Sequence, residues 1–165
     1  MILLSTAYFP PISYIALLFQ HQEGQIDLWE TYSKQTYRNR CYIASASGLM
    51  ALSVPVKKPF GNKSITKDIT IDYTENWQQT HWRSIKSAYQ SSPFFLYYQD
   101  EIEAVFKEKH GSLHQMNAKI LGVLLDLIGF DVPLKITEGF IKPAQESNDF
   151  RFSRSEWFYP RFIYS

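Results

Sequence analysis

Arg38 and Arg40 flank a single residue in Tyr37-Arg38-Asn39-Arg40. Alternate residues of an extended strand point the same way, so the two guanidinium groups would share a side. A planar fork of N–H donors suits phosphate or carboxylate, which makes the pair a candidate grip for the diphosphate of an activated sugar. The same spacing describes two surface arginines paired with Asp or Glu, and spacing alone favours that plainer reading. His81 lies between Trp77 and Ile85 inside an apolar helical arc. Burial there would keep the imidazole neutral, able to serve as a general base in a cleft or, more commonly, as a hydrogen-bonded core residue. Asn117 falls between Leu113 and Leu121 on an apolar face. An unsatisfied amide there would cost about 1–3 kcal/mol, so Asn117 needs a partner in a loop backbone or in a ligand.

The single Cys41 excludes an intrachain disulfide framework and a multi-cysteine metal cage, and it fits a reducing compartment, with the cytoplasm as the expected location. No sequence-adjacent base activates it, so it reads as a small buried hydrophobe. There is no Gly-rich phosphate loop, no Gly-x-Ser-x-Gly elbow, no zinc spacing and no dinucleotide fingerprint, so no metal and no particular cofactor is implied. The formal charge of +1 removes the electrostatic argument for broad attachment to nucleic acid, and any anion site must be local. The opening apolar run breaks at Pro10, too early for a signal sequence or a membrane span, so no stable membrane insertion is expected.

The elements that must position these residues follow from periodicity. Residues 1–7 read as a first strand, and Pro10-Pro11 opens a helix over 12–20. Gly24 ends that helix before a second strand over 25–30, and the two strands can lie parallel through a right-handed crossover. Residues 37–44 and 49–56 form a hairpin about Ser45-Ala46-Ser47-Gly48. The Lys-rich stretch 57–68 reads as an exposed loop, and 69–71 as an extended segment. Three helices follow. The first is amphipathic and carries Trp77, His81 and Ile85; the second opens with Ser92 as cap and Pro93 in its first turn. The third has a capping box of Ser112 with Gln115 and, as the most apolar, should be central. Residues 132–137 are a candidate last strand. The expected fold is a single α/β domain, a mixed β-sheet flanked by helices, over residues 1–150. A divergent aromatic tail over 151–165, with Trp157, Phe158, Tyr159, Phe162 and Tyr164, would dock on the core or cover a surface normally filled by more chain.

Several motifs in order resemble the WbqC-like protein family: Tyr8-Phe9-Pro10-Pro11-Ile12-Ser13-Tyr14, Lys34 through Arg40, Leu52-Ser53-Val54-Pro55-Val56, Trp77 through Phe95 with His81-Trp82-Arg83, and Leu113 with Asn117. The resemblance runs from about Tyr8 to Asp131. It implies a role in bacterial surface-polysaccharide biosynthesis of the O-antigen type, with transfer of glycine or another aminoacyl group to a sugar suggested for some members. On that reading Arg38 and Arg40 hold the anionic group of an activated sugar or glycan precursor, and Tyr8 and Tyr14 pack the sugar. Asn117 contributes to binding, and His81 carries a proton. A non-enzymatic binding or scaffold component of polysaccharide-assembly proteins is the alternative, and nucleotidyl transfer a weaker one, since no His-x-Gly-His is present. Leu4-Ser5-Thr6 stands where the family often has His-Gln-Pro, so no catalytic His is carried over there. Glu30 is the nearest candidate for the family's acidic pair. The family's chains usually continue into a further C-terminal segment, which Asp149-Phe150-Arg151 looks set to enter, so truncation is expected.

Overall fold

The computed structural model describes residues 1–142 and 148–151. The aromatic tail therefore lies outside the described residues apart from Arg151. Strand β1 (Ile2–Ser5) leads through helix α1 (Ile12–His21) to strand β2 (Gly24–Asp27), and the two strands pair in parallel with Ile2 opposite Gly24 and Ser5 opposite Asp27. Strands β3 (Arg40–Ser45) and β4 (Gly48–Ser53) form the antiparallel hairpin, and β5 (Val56–Lys57) pairs antiparallel with β6 (Thr70–Ile71). Helices α2 (Trp77–Tyr89), α3 (Phe95–Lys107) and α4 (Leu113–Leu127) follow, and β7 (Leu134–Ile136) returns to pair in parallel with β2. The domain is thus α/β with parallel and antiparallel strands, distributed over a parallel ladder in the order β1-β2-β7 and two antiparallel ladders. Residues 148–150 extend the parallel ladder beyond β1: the Leu3 N–H donates to the Asn148 carbonyl (3.0 Å) and the Phe150 N–H to the Leu3 carbonyl (2.9 Å).

Helix α4 is the joint between two apolar cores. Leu113, Met116 and Ile120 pack with Val54, Ile69 and Trp77 under the hairpins, while Leu121 and Leu125 pack with Ile2, Leu4 and Leu18 against the parallel strands. Each such side chain contributes about 1.5–3 kcal/mol by leaving water. Gly24 marks where α1 closes on the strands: a Cβ there would come within 2.9 Å of Leu18 Cδ2 and 3.1 Å of Leu134 Cδ2. Both atoms end flexible side chains, so Gly24→Ala should cost about 1–2 kcal/mol of overpacking, read as a lower urea midpoint with an unchanged slope. An unchanged midpoint would show that the two leucines give way freely.

The structure departs from the sequence reading at several points, among them the second strand, which starts at Gly24 and ends at Asp27 instead of running over 25–30. The hairpin's first strand begins at Arg40, and residues 37–39 belong to a turn, because Arg38 is drawn away from the ladder to a carboxylate described below. The basic stretch is exposed over 59–63 and at Lys67 but turns inward between them. Ser64 and Thr66 are buried, since the Ser64 carbonyl accepts from the Tyr32 N–H and the Thr66 N–H donates to the Glu30 carbonyl. Helix α3 starts at Phe95, two residues later than a Pro93 first turn implies, with the Phe95 N–H closing a turn on the Ser92 carbonyl. The capping box does not form: the Ser112 hydroxyl makes no cap hydrogen bond and is buried without a partner among the described residues, while the first N–H of α4, that of Leu113, is satisfied by the Ile69 carbonyl at 2.9 Å.

Candidate functional site

Ser5 ends β1, and the chain beyond it turns through Thr6 and Ala7 into the α1 entry. Ends of parallel strands are where α/β folds gather polar groups, because the loops diverge there and leave backbone and side chains to be satisfied. Arg38 comes to this edge: its Nη2 donates to Ser5 Oγ (2.8 Å) and to Glu30 Oε2 (2.5 Å), its Nε to Glu30 Oε1 (2.6 Å), and its Nη1 to Thr36 Oγ1 (3.2 Å). Arg38 and Glu30 are both buried, so the fork-on-carboxylate pair is desolvated and both charges depend on each other. The Tyr14 hydroxyl donates to the Ser5 carbonyl (3.1 Å), and its pKa is raised, first by burial and then by the charge of Glu30. Asn117 Nδ2 donates to the Arg38 carbonyl at 2.8 Å, which supplies the loop-backbone partner, while its Oδ1 is buried with no partner among the described residues.

A second group lies on the other side of the same turn. The Tyr8 N–H donates to the Tyr37 carbonyl (2.7 Å), fixing the fully buried Tyr8 against residues 37–40. The Tyr8 hydroxyl and His81 Nδ1 are 2.8 Å apart. The Ser53 backbone carbonyl lies near enough to the His81 ring to favour its protonated form. Which atom of the Tyr8–His81 pair donates follows from the imidazole tautomer. Arg40 joins from the hairpin: its Nε donates to Ser53 Oγ at 2.8 Å, and Arg40 is opposite Ser53 in the ladder. Arg40 is half-buried and makes no ion pair among the described residues. Tyr8, His81, Ser53 and Arg40 thus line up as one chain of neighbours, and Tyr14 to Ser5 to Arg38 to Asn117 is a hydrogen-bonded chain beside it.

Burial dominates the electrostatics of the first chain. It pushes the Tyr8 hydroxyl well above its ordinary pKa and lowers the His81 imidazole to about 4, the Ser53 carbonyl opposing the shift. His81 is thus neutral at physiological pH. Its folded-state pKa lies below the 6.5 of a free imidazole, so between these values the unfolded chain binds more protons than the folded one. The stability carried by neutral His81 is complete above about pH 6.5 and is lost as pH falls toward 4. We expect a loss on the order of 2–3 kcal/mol across that window, and a correspondingly flatter pH profile for His81→Gln, from urea midpoints at pH 7, 6, 5 and 4. His114, also lowered by burial, contributes equally to both proteins. Matching slopes for the two would contradict the buried neutral ring.

Sequence reasoning missed a third set of buried charges. Asp27, at the end of β2, is fully buried and accepts from the Trp29 N–H (2.8 Å), from Thr137 Oγ1 (3.2 Å) and from Arg151 Nη1. Arg151 also clamps Asp149 through Nε (2.9 Å) and Nη2 (2.6 Å) and reaches the Ile141 carbonyl (2.9 Å). Ser5 Oγ links this set to Glu30 at 3.1 Å and to the Arg151 carbonyl at 3.3 Å. The signal for Asp27 was its position between Ile26 and Leu28 at the end of the central strand, where a buried carboxylate demands a cation. Cys41 is buried, and burial pushes its thiol up to about 12, as fits a packing residue. Among the described residues no group of three His, Cys, Asp or Glu side chains is arranged to hold a metal ion, and no helix is long and apolar enough to cross a membrane.

Comparison with known proteins places this arrangement. Over 104 residues, 62% of this chain and 45% of the relative, the chain is 27% identical to the uncharacterized protein Rv1507c of Mycobacterium tuberculosis. The match spans less than half the length of that curated relative. No solved structure matches the chain. The model of the WbqC-like protein family matches residues 6–156, which takes in the Asp27–Arg151 clamp and, apart from Ser5, both chains of site residues, and by that match the chain belongs to the WbqC-like protein family.

Proposed function

We propose that this chain is a cytoplasmic transferase of bacterial surface-polysaccharide biosynthesis acting on an activated sugar or glycan precursor, with glycine or another aminoacyl group as the transferred unit. The observation that supports it is the contrast between the two arginines. Arg38 has its fork filled by Glu30, and drawing it onto a substrate would strand a buried carboxylate at a cost of about 3–5 kcal/mol. Its part is to hold the turn. Arg40 is oriented by one bond from Nε, and its two terminal nitrogens make no hydrogen bond among the described residues, so they are the donors placed for a phosphate or carboxylate. Tyr37 and Tyr42, whose rings lie 6.1 Å apart edge to face, stand on either side of Arg40 in sequence and offer the apolar bodies that a sugar face packs on. His81 acts through Tyr8, which it holds, and through Ser53.

One observation favours the alternative of a non-enzymatic binding or scaffold component: His81 is buried with Nδ1 engaged by the fully buried Tyr8, which leaves little of the pair open to a substrate. Calorimetric titration with a uridine diphosphate sugar separates the readings. The transferase reading expects binding that Arg40→Ala weakens tenfold or more, equivalent to about 1.4 kcal/mol, while Tyr42→Ala weakens it less. Absence of binding, or equal binding by Arg40→Ala, would end that reading. Assembly with other polysaccharide proteins, with the glycan unchanged, would favour the scaffold.

A further inference from the structure

The inner face of the β3–β4 hairpin, where α2 and α3 approach it, encloses a cleft of about 460 Å³. Cys41, Ile43, Ile85 and Phe95 form its floor and are all buried, while Tyr42, Phe94 and Tyr98 at its mouth are 42%, 65% and 40% exposed. No lining residue is charged. The volume falls in the range of small-molecule sites and far exceeds the methyl-sized gaps that close packing tolerates. Phe9, on the cleft wall, holds a φ of 44°, a left-handed backbone that a bulky side chain rarely adopts, and its ring is pinned by stacking on Phe106 at 5.8 Å. Backbone outliers of this kind gather at ligand clamps, where the surroundings over-determine them.

We propose that this cleft binds an uncharged hydrocarbon chain, acyl or isoprenyl, of roughly a dozen carbons. The length follows from volume: a methylene is comparable in bulk to a water molecule, whose share of liquid is ~30 Å³, and a chain does not fill a cleft completely. The class follows from the walls. A sugar or nucleotide entering here would give up water for aromatic and aliphatic side chains, and the Tyr89 hydroxyl among them already accepts from the Ala44 N–H at 3.1 Å. A hydrocarbon gives up nothing polar and gains the contact. The cleft meets the anion grip at Tyr42, which stands at its mouth, but its floor is separate, because Cys41 and Arg40 alternate to opposite faces of β3, so loss of anion binding in Arg40→Ala and loss of hydrocarbon binding in Ile102→Trp tell the two assignments apart.

The test titrates the full chain with dodecanol and, separately, farnesol, below their aggregation limits, with calorimetry and the rate of Cys41 alkylation by N-ethylmaleimide as readouts. Cys41 is the chain's one cysteine, so the label reports the cleft floor directly. The expected result is one-to-one binding of at least one alcohol, alkylation slowed tenfold or more, and binding weakened tenfold or more in Ile102→Trp, which fills the cleft. Binding of dodecanol alone assigns a linear acyl class, and of farnesol alone an isoprenyl class. Should Ile102→Trp not fold, protection of Cys41 in the unaltered chain decides. Failure of both alcohols to bind, equal binding by a folded Ile102→Trp, or protection of Cys41 that depends on protein concentration alone would overturn the proposal, the last by assigning the cleft to a second copy.

Discussion

Arg38→Ala is expected to lower the unfolding free energy by about 3–5 kcal/mol, because it leaves the Glu30 carboxylate buried with no counter-charge. Glu30→Ala should cost a similar amount from the other side. Two further losses come with Arg38: the donors to Ser5 Oγ and Thr36 Oγ1 vanish, and the turn that presents its carbonyl to Asn117 loses its anchor. The combined replacement Glu30→Leu with Arg38→Met should cost far less than the sum of the single changes, since neither partner then strands a charge. Urea unfolding at pH 7 measures all three. A loss under about 1 kcal/mol for either single variant would mean that water reaches the pair, as at an exposed salt bridge.

Arg151→Ala carries the second large effect, about 3 kcal/mol or more. Asp27 is fully buried, and two neutral donors, the Trp29 N–H and Thr137 Oγ1, remain to it without Arg151. The same change frees Asp149 from its clamp, and the strand at 148–150 is held to β1 by backbone bonds about Leu3. Arg151→Lys should recover only part of the loss, because an ammonium cannot fork onto two carboxylates and a carbonyl together. Amide hydrogen exchange at Leu3 and Phe150 reads the local part and thermal unfolding the global part. Slow exchange at both amides in Arg151→Ala would show that the edge strand is held without the clamp.

What the sequence revealed divides along a physical line. His81 was placed in its apolar arc because a helix repeats every 3.6 residues and Trp77, His81 and Ile85 are four apart, and all three are buried. Gly24 was read as a helix end, yet α1 stops at His21 with Gln22 in the left-handed cap position, and Gly24 opens β2. The Arg38 partner was not readable, because Glu30 lies eight residues back in an irregular segment and no period connects them. Reading Arg38 as a strand residue followed from alternation, yet a guanidinium drawn to a buried carboxylate overrides a weak strand preference. Asp27 and Arg151 stand 124 residues apart, and only the parallel ladder brings them together. Ser112 with Gln115 had the letters of a capping box, but the entry to α4 is fixed instead by a tertiary backbone bond, the Leu113 N–H donating to the Ile69 carbonyl. The site residues were legible by type, and their division of labour was set by partners that the linear order does not show.

The most direct test of the central claim, that Arg40 and not Arg38 meets the anionic substrate, is the nitrogen and proton NMR of the two guanidinium groups during titration with a uridine diphosphate sugar. The Arg40 resonances are expected to shift in a saturable manner while those of Arg38, locked on Glu30, stay in place. Shifts at Arg38 with Arg40 unmoved would contradict that claim.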